Sequence, residues 1–312
     1  MSLPRELRDR LTVYQDHQEW LASRKARASE HGIGSSDVAA ILGVSPYSTP
    51  WTVWASAHIA EEDAEEDAPE TEDMLRGRYW EPFLARWYRD QRICFPVSTR
   101  ICTVRHRCYP WLIVSPDGLA FDRQERTWGV LEIKTQRYRE GWGRDGEDVV
   151  SGHRSTLQTI PPYYLTQAQI LMEATGLDWC DFVVGFGFAD IRRIRVRRDP
   201  RWELAEQVAA WRDRHLVGGE PPPWDPQDTG ARLVMLTHPR KGSRSATPEE
   251  VGLVYSYAEA AKAAKAAEED RIRIRAELTR ACAMTGVERL TLPTGQHMTL
   301  TTKGAIRLPR NL

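Results

Sequence analysis

The sequence predicts an α/β fold, a central mixed β-sheet flanked by helices, with a long C-terminal helix and a β-hairpin appended. Three observations carry this. Helical spacing of apolar residues up to Asp90 gives way, from Cys94 to Lys134, to short runs rich in β-branched and aromatic residues. The order helix, strands, helix, strands, helix then continues to about residue 225, as in a sheet covered by helices. Past PPPWDPQDTG, an Ala-rich segment opens on a capping signal and is too long for one helix of a compact core.

Taken in order, one amphipathic helix covers Arg5 to Ala28. In HGIGSSDVAAILG, Ser35 or Ser36 caps a helix, Asp37 favours its first turn, Val38, Ile41 and Leu42 form its apolar face, and Gly43 ends it. The next helix starts at Thr49 with Pro50 in its first turn and carries Trp51 and Trp54. MLRGRYWEPFLARWYRD has helical spacing at Leu75, Trp80, Leu84, Trp87 and Tyr88, and Glu81 falls inside that pattern. A lone carboxylate buried there needs a partner or a metal. RICTVRHRCY, WLIVSPDGLAF and WGVLEIKT read as consecutive strands. After a loop-rich stretch, Pro161 and Pro162 lead into a helix from about Tyr163 to Ala174, closed by Gly176. WCDFVVGFGF and DIRRIRVRRD give two more strands, and RWELAEQVAAWRDRHL an amphipathic helix. Thr247, Pro248 and Glu250 make a capping box, and the Ala-rich helix runs from there to about Met284 before Gly286. ERLTLPTGQHMTLTT reads as a hairpin turning at Pro293 to Gly295. The expected division is a domain over 1–225, a linker over 226–245 and an appendage over 246–312.

The chain has 312 residues, enough for a full core, and 41% hydrophobic against 28% charged residues is a globular composition. No run of 18 apolar residues occurs and MSLPRELRDR has no signal-peptide pattern, so no membrane association and a cytoplasmic location are expected. Five irregularly spaced cysteines, Cys94, Cys102, Cys108, Cys180 and Cys282, argue against a disulfide framework, and without a CxxC pair they read as structural. The eight histidines form no HxH or HExxH cluster, which speaks against zinc. The net charge of −1 is uneven: EEDAEEDAPETED, Glu61 to Asp73, holds nine acids and no bases, and without it the chain stands at about +8. The body is basic, and residues 61–73 read as a solvated, mobile acidic loop.

The chemistry concentrates in SPDGLAFDRQERTWGVLEIKT, Ser115 to Thr135. Asp117 ends one strand and Gly118 turns the chain. Glu132 and Lys134 share a face of the next strand while Ile133 points to the other. Paired as a hairpin, the strands bring Asp117 near Glu132, and two carboxylates with a backbone carbonyl suit Mg²⁺ or Mn²⁺. A lysine beside such a site can hold the attacking water and stabilise charge building on phosphorus. The plain alternative is a same-face Glu–Lys pair on an exposed edge with Asp117 as a turn residue. Apolar Leu131 and Ile133 beside Glu132, Glu81 on one helix, and Gln167 and Gln169 on another weigh toward a site.

The blocks GIGSSDVAAILGVSPYSTPWTVW, Gly77 to Glu81, SPDG, LEIKT and YYLTQAQILMEATGLDW, in this order, resemble the YqaJ-type viral recombinase family, which belongs with lambda exonuclease in the PD-(D/E)xK nuclease superfamily. The resemblance covers roughly residues 20–215. It implies a restriction endonuclease-like nuclease core, with Asp117, Glu132 and the Ile133 carbonyl as metal ligands, Lys134 as catalytic lysine and Glu81 helping to bind a second metal. It further implies Gln167 as the glutamine of the active-site helix, with Gln169 as fallback, and Ser36 and Ser115 at the 5′-phosphate of the degraded strand. An arginine belongs in that pocket, and Arg27 is chosen over Arg24. The implied activity is a Mg²⁺-dependent 5′ to 3′ exonuclease on double-stranded DNA ends that leaves 3′ single-stranded tails. A single-strand annealing protein is the implied partner, a homo-oligomer the implied assembly, and a virus or prophage in a bacterial host the implied source. Other readings are a structure-specific or restriction-type endonuclease of the same superfamily and an inert DNA-binding module.

Two further features admit two readings each. The six arginines of DIRRIRVRRDPR suit a phosphate-binding strand or a charge-protected edge strand. Among the 12 tryptophans, mostly at helix-core spacing, Trp142 is the best candidate for base stacking.

Overall fold

The amphipathic stretch near the N-terminus is broken, in the computed structural model of the chain, by a short strand. The structure describes residues 2–58, 72–150, 160–187, 190–225, 243–301 and 305–309. After a one-turn helix α1 (Arg5–Arg8) comes β1 (Leu11–Val13), and only then α2 (His17–Ser29). The signal for the break is local: Thr12 and Val13 are β-branched, and Asp16 accepts from Glu19 N at 2.9 Å while Glu19 reaches back to Gln15 N at 2.7 Å, a cap that starts α2 afresh.

Then follow α3 (Ser35–Ile41), α4 (Pro50–His58) and α5 (Glu72–Asp90). The N-cap of α3 is Gly34, not Ser35 or Ser36, because Asp37 in the first turn accepts the Gly34 N–H at 2.8 Å. Most of the acidic loop expected over 61–73 lies outside the described residues, but Glu72 and Asp73 form the first turn of α5. Leu84, Ala85 and Tyr88 are the buried face of that helix, whereas Glu81 is exposed.

Next come β2 (Cys94–Ser98), β3 (Cys102–Arg105), β4 (Ile113–Val114), β5 (Gly118–Asp122), β6 (Thr127–Gln136), β7 (Asp148–Val150), α6 (Pro162–Thr175), β8 (Trp179–Phe186), β9 (Asp190–Arg197) and α7 (Leu204–Trp211), which runs on as a π-helical turn, Arg212–Val217. The main sheet is mixed, in the order β2-β5-β6-β8-β9-β7, with β6 parallel to β8, β9 parallel to β7 and the other pairs antiparallel. A small sheet, β1-β3-β4, stands beside it. One core joins Val130, Phe182 and Val184 of the sheet to Leu165, Ala168 and Ile170 of α6. A second joins Leu131, Ile133 and Val183 to Leu84 and Tyr88 of α5. Gly129 lets the sheet lie against the ring of Trp179, since a Cβ there would fall 2.1 Å from a ring carbon.

The arginine strand is neither an edge nor a phosphate ladder. β9 lies between β8 and β7, and its arginines are spent on carboxylates. Arg195 is buried and donates to both oxygens of Asp181 and to Asp122, with Tyr88 donating to Asp181 as well. Arg197 pairs with Glu125 and Asp148, Arg192 with Asp190, and Arg201 with Asp199. Trp142 is likewise buried, edge-on to Phe182.

The chain divides into two compact units, Met1–Pro239 and Arg240–Leu312; most of the segment expected as a linker lies outside the described residues. The second unit holds α8 (Pro248–Thr285), opened by the Thr247–Glu250 capping box and closed at Gly286 in a left-handed conformation. It is followed by β10 (Arg289–Thr291), β11 (His297–Leu300) and β12 (Ile306–Arg307), an antiparallel sheet with one strand more than the expected hairpin. Among the described residues, no helix is long and apolar enough to cross a membrane.

Candidate active site

The strands that carry Asp117 and Glu132 do pair as a hairpin, but its turn is residues 123–126 and not Gly118, which opens β5, so Asp117 stands just before a strand rather than at the end of one. β5 and β6 pair antiparallel with Gly118 opposite Leu131, which sets Asp117 beside Glu132 at the end of the ladder. Asp117 Oδ2 accepts the Ile133 N–H at 2.7 Å, so the carboxylate is held by the backbone of the strand that carries Glu132. Glu132 is 1% exposed. Its Oε1 accepts from Lys134 Nζ and from Gln167 Nε2 of α6, both at 2.7 Å, and its Oε2 is buried with no partner. The ammonium of Lys134 also lies 5.1 Å from the centre of the Tyr164 ring, and Tyr164 accepts from Gln136 at 2.8 Å.

Electrostatics follow from packing like charges in a poorly solvated corner. Burial, and then the charge of Asp117, push Glu132 up to about 7. Burial also raises Asp117, against the pull of Lys134 and the Ile133 N–H. Burial works against the Lys134 ammonium, but Glu132 and Asp117 outweigh it and raise its pKa. Glu81 is exposed as a residue, yet desolvation of its carboxyl and then the Asp117 charge take it to about 7 as well. That response places Glu81 in the field of the site, although it does not line the cleft described next.

A cleft of about 170 Å³ is lined by Trp20, Arg24, Arg27, Gly34, Ser35, Ser36, Ser115, Asp117, Glu132, Lys134 and Gln167. It gathers eight of the candidate site residues, both arginines included, from three helices, β6 and the turn before β5. Arg27 enters beneath the glycine-rich turn: a Cβ on Gly34 would fall 2.9 Å from its Nη2, and one on Gly32 2.4 Å from its Cγ. Its Nη1 donates to the Ile113 carbonyl at 3.0 Å, and its Nε is buried without a partner. Trp20 Nε1 donates to Ser115 Oγ at 3.2 Å, and the Arg24 guanidinium stacks on the Trp20 ring at 4.8 Å.

Gln169 is not in this group. It is buried behind α6, donating to the Arg197 carbonyl and accepting from Asp199 N, because two residues along a helix turn a side chain to the opposite side. Ile133 contributes its N–H to Asp117 and its side chain to the α5 core. Two participants were missed by the sequence reading, Trp20 and Tyr164. Tyr164 lies one helical turn before Gln167 and was legible from that spacing; Trp20 carried no signal that set it apart from the other tryptophans.

Among the described residues, no three His, Cys, Asp or Glu side chains gather at metal-binding distance. The donor set fits a hard cation in another respect: two carboxylates of raised pKa line one cleft, one of them with a buried, unpartnered oxygen.

Residues 19–178 match the YqaJ-like viral recombinase domain. A search of curated proteins finds no match. Among solved structures, the chain is similar to LHK-Exo in complex with dAMP, at 21% identity over 62% of this chain and 89% of that one, with a TM-score of 0.44. It is also similar to an alkaline exonuclease (LHK-Exo) from Laribacter hongkongensis, at 20% identity over 78% and 98% of the two chains, with a TM-score of 0.41.

Proposed function

The chain belongs to the YqaJ-like viral recombinase family, and from that premise we propose that it is a metal-dependent nuclease that degrades the 5′-ended strand of linear double-stranded DNA and leaves 3′ single-stranded tails. One observation carries this reading: Asp117, Glu132, Lys134 and Gln167 share a single cleft with Arg27, Ser36 and Ser115. Hydrolysis and the grip on a terminal phosphate are then within one nucleotide's reach.

Asp117 and Glu132, with the Ile133 carbonyl, are the residues to hold Mg²⁺, or Mn²⁺ in its place, and Glu81 is the candidate to help hold a second ion. When bound, the cation supplies a lowered pKa for water and neutralises charge on the scissile phosphate. Lys134 stays protonated between Glu132 and the Tyr164 ring, positioned to stabilise the anionic transition state. Gln167 fixes the Glu132 carboxylate so that its second oxygen stays turned to the site. Arg27, Ser36 and Ser115 take a terminal 5′-phosphate, the guanidinium by charge-assisted hydrogen bonds. A single-strand annealing protein is the expected user of the 3′ tails, and a virus- or prophage-encoded protein in a bacterial cytoplasm the expected setting.

The test is purified protein with Mg²⁺ on end-labelled linear duplex and on covalently closed circles. Progressive loss of linear DNA, faster from 5′-phosphorylated ends, with intact circles, supports the reading. Cleavage of circles supports an endonuclease instead, and binding without hydrolysis, unchanged by Glu132→Ala, an inert module.

A further inference from the structure

Within its own unit, almost nothing covers α8. The three-stranded sheet accompanies burial at the last turns, where Cys282 is 1% exposed, while Leu253, Tyr257 and Ile274 stand 65%, 79% and 48% exposed. These residues lie on one line. Steps of four and three from Leu253 to Ala281 land on an apolar residue every time except at Arg271. Of the 11 charged residues in that span, Arg271 is the single one on the line, so the charges avoid this face rather than scatter around the helix. A repeat of 3.5 residues held over four heptads is the period at which two helices keep one seam in contact.

We propose that this seam is an interface with a second copy of the chain, the two α8 helices running antiparallel. From Leu253 to Leu278 the pattern is self-complementary under a twofold axis between Ala264 and Ala267. In that register Leu253 meets the partner's Leu278, Tyr257 meets the partner's Ile274, and Ala264 meets the partner's Ala267. Large side chains meet near the ends and small ones at the centre, where the backbones can come close. Arg271 lies over the partner's Ala260. Its guanidinium is already neutralised by Glu268 on its own helix, with two hydrogen bonds of 2.7 Å, so only the aliphatic stem need cover the alanine. A parallel, in-register pair places Arg271 against the partner's Arg271 instead, and like charges in a seam repel. Any heptad line has this symmetry of spacing; what is particular to this chain is that the twofold also pairs large with large (Leu253 and Leu278, Tyr257 and Ile274) and small with small (Ala264 and Ala267), which is why a second copy is the occupant.

The inference does not rest on the nuclease reading, and its test does not use DNA. Light scattering on the full chain at micromolar concentration gives an oligomeric mass, and Ala264→Glu, which puts a charge at the close-packed centre, halves it while circular dichroism keeps its helix content. For orientation, Leu253→Cys and Leu278→Cys are placed on separate chains that also carry Cys108→Ser, since Cys108 is exposed. Mixed under mild oxidation, the two variants crosslink to each other, and Leu253→Cys alone does not crosslink to itself. A single-chain mass for the natural protein, a mass unchanged by Ala264→Glu, or self-crosslinking of Leu253→Cys as efficient as the mixed pair overturns the proposal.

Discussion

Lys134 Nζ donates to Glu132 Oε1 at 2.7 Å, while Glu132 Oε2 is buried with no partner at all. One half of the carboxylate is compensated and the other is not, and burial, followed by the charge of Asp117, takes Glu132 to about 7. An acid whose folded pKa lies above its unfolded value favours folding at low pH, and that contribution is lost as pH climbs through the folded pKa. Without divalent cation, the melting temperature is therefore expected to fall by a few degrees between about pH 5.5 and about pH 8, with Glu81 adding in the same sense. Glu132→Gln should flatten that fall and abolish cleavage, and Mg²⁺ should raise the melting temperature of the natural protein but not of the variant. Thermal melts at the two pH values, with and without Mg²⁺, check this.

Asp117→Asn keeps an oxygen to accept the Ile133 N–H and removes the charge. Cleavage is expected to drop about 10³-fold, the range for loss of one preorganised electrostatic group, with the melting temperature unchanged or higher. A rate assay beside a melt separates the two effects.

Gly34→Ala places a methyl 2.9 Å from the Arg27 guanidinium, and the far end of that side chain must move. Preference for 5′-phosphorylated over 5′-hydroxyl ends should fall roughly 10-fold to 100-fold, the worth of hydrogen bonds to a charged group. Arg27→Ala should do the same, and digestion of the two substrates side by side reads it.

Gln167 and Gln169 should part company. Gln167→Ala releases the Glu132 carboxylate and is expected to lower the rate with little effect on folding. Gln169→Ala strips partners from the Arg197 carbonyl and Asp199 N and should cost about 1–3 kcal/mol of stability. Denaturant unfolding of both variants distinguishes them.

Arg195→Ala removes the buried guanidinium that Asp181 and Asp122 share, leaving Asp181 with Tyr88 and the longer Arg193 contact and Asp122 with backbone N–H groups. A loss of about 3–5 kcal/mol is expected, as for breaking any buried ion pair from one side. If Arg195 were a phosphate contact, the same variant would weaken DNA binding at full stability, and a binding titration beside the unfolding curve tells which.

The pairing was legible because its information is local: a period of two and a four-residue connection between Asp122 and Thr127 bring Asp117 to Glu132, although the turn expected at Gly118 is instead the start of β5. The same holds for the capping box of α8, the proline entry to α6 and the glycine that ends it. The break at Leu11–Val13 was legible only in part: the cap that restarts the helix at Asp16 and Glu19 is local, but a three-residue strand holds only because β3 pairs with it from 89 residues further on. The arginines of β9 misled for a related reason. Their spacing is visible in the sequence, but the carboxylates that neutralise Arg195 come from β5 and β8, and no pattern within one strand reports them.

By itself, then, the sequence determined which residue types stand on which elements: two acids and a lysine on neighbouring strands, a glutamine helix, a glycine-rich turn with serines, and a long Ala-rich helix near the C-terminal end. Those follow from residue type and period, which short-range geometry turns into faces. Only the tertiary structure decided which side chains meet. Glu132 is shared by Lys134 and Gln167, and Arg27 rather than a β9 arginine reaches the cleft, because the crossover to α6 and the bridge between Ile33 and Leu112 bring distant segments together. Such contacts depend on packing across the whole unit, and packing is a property of the folded chain rather than of any stretch of it.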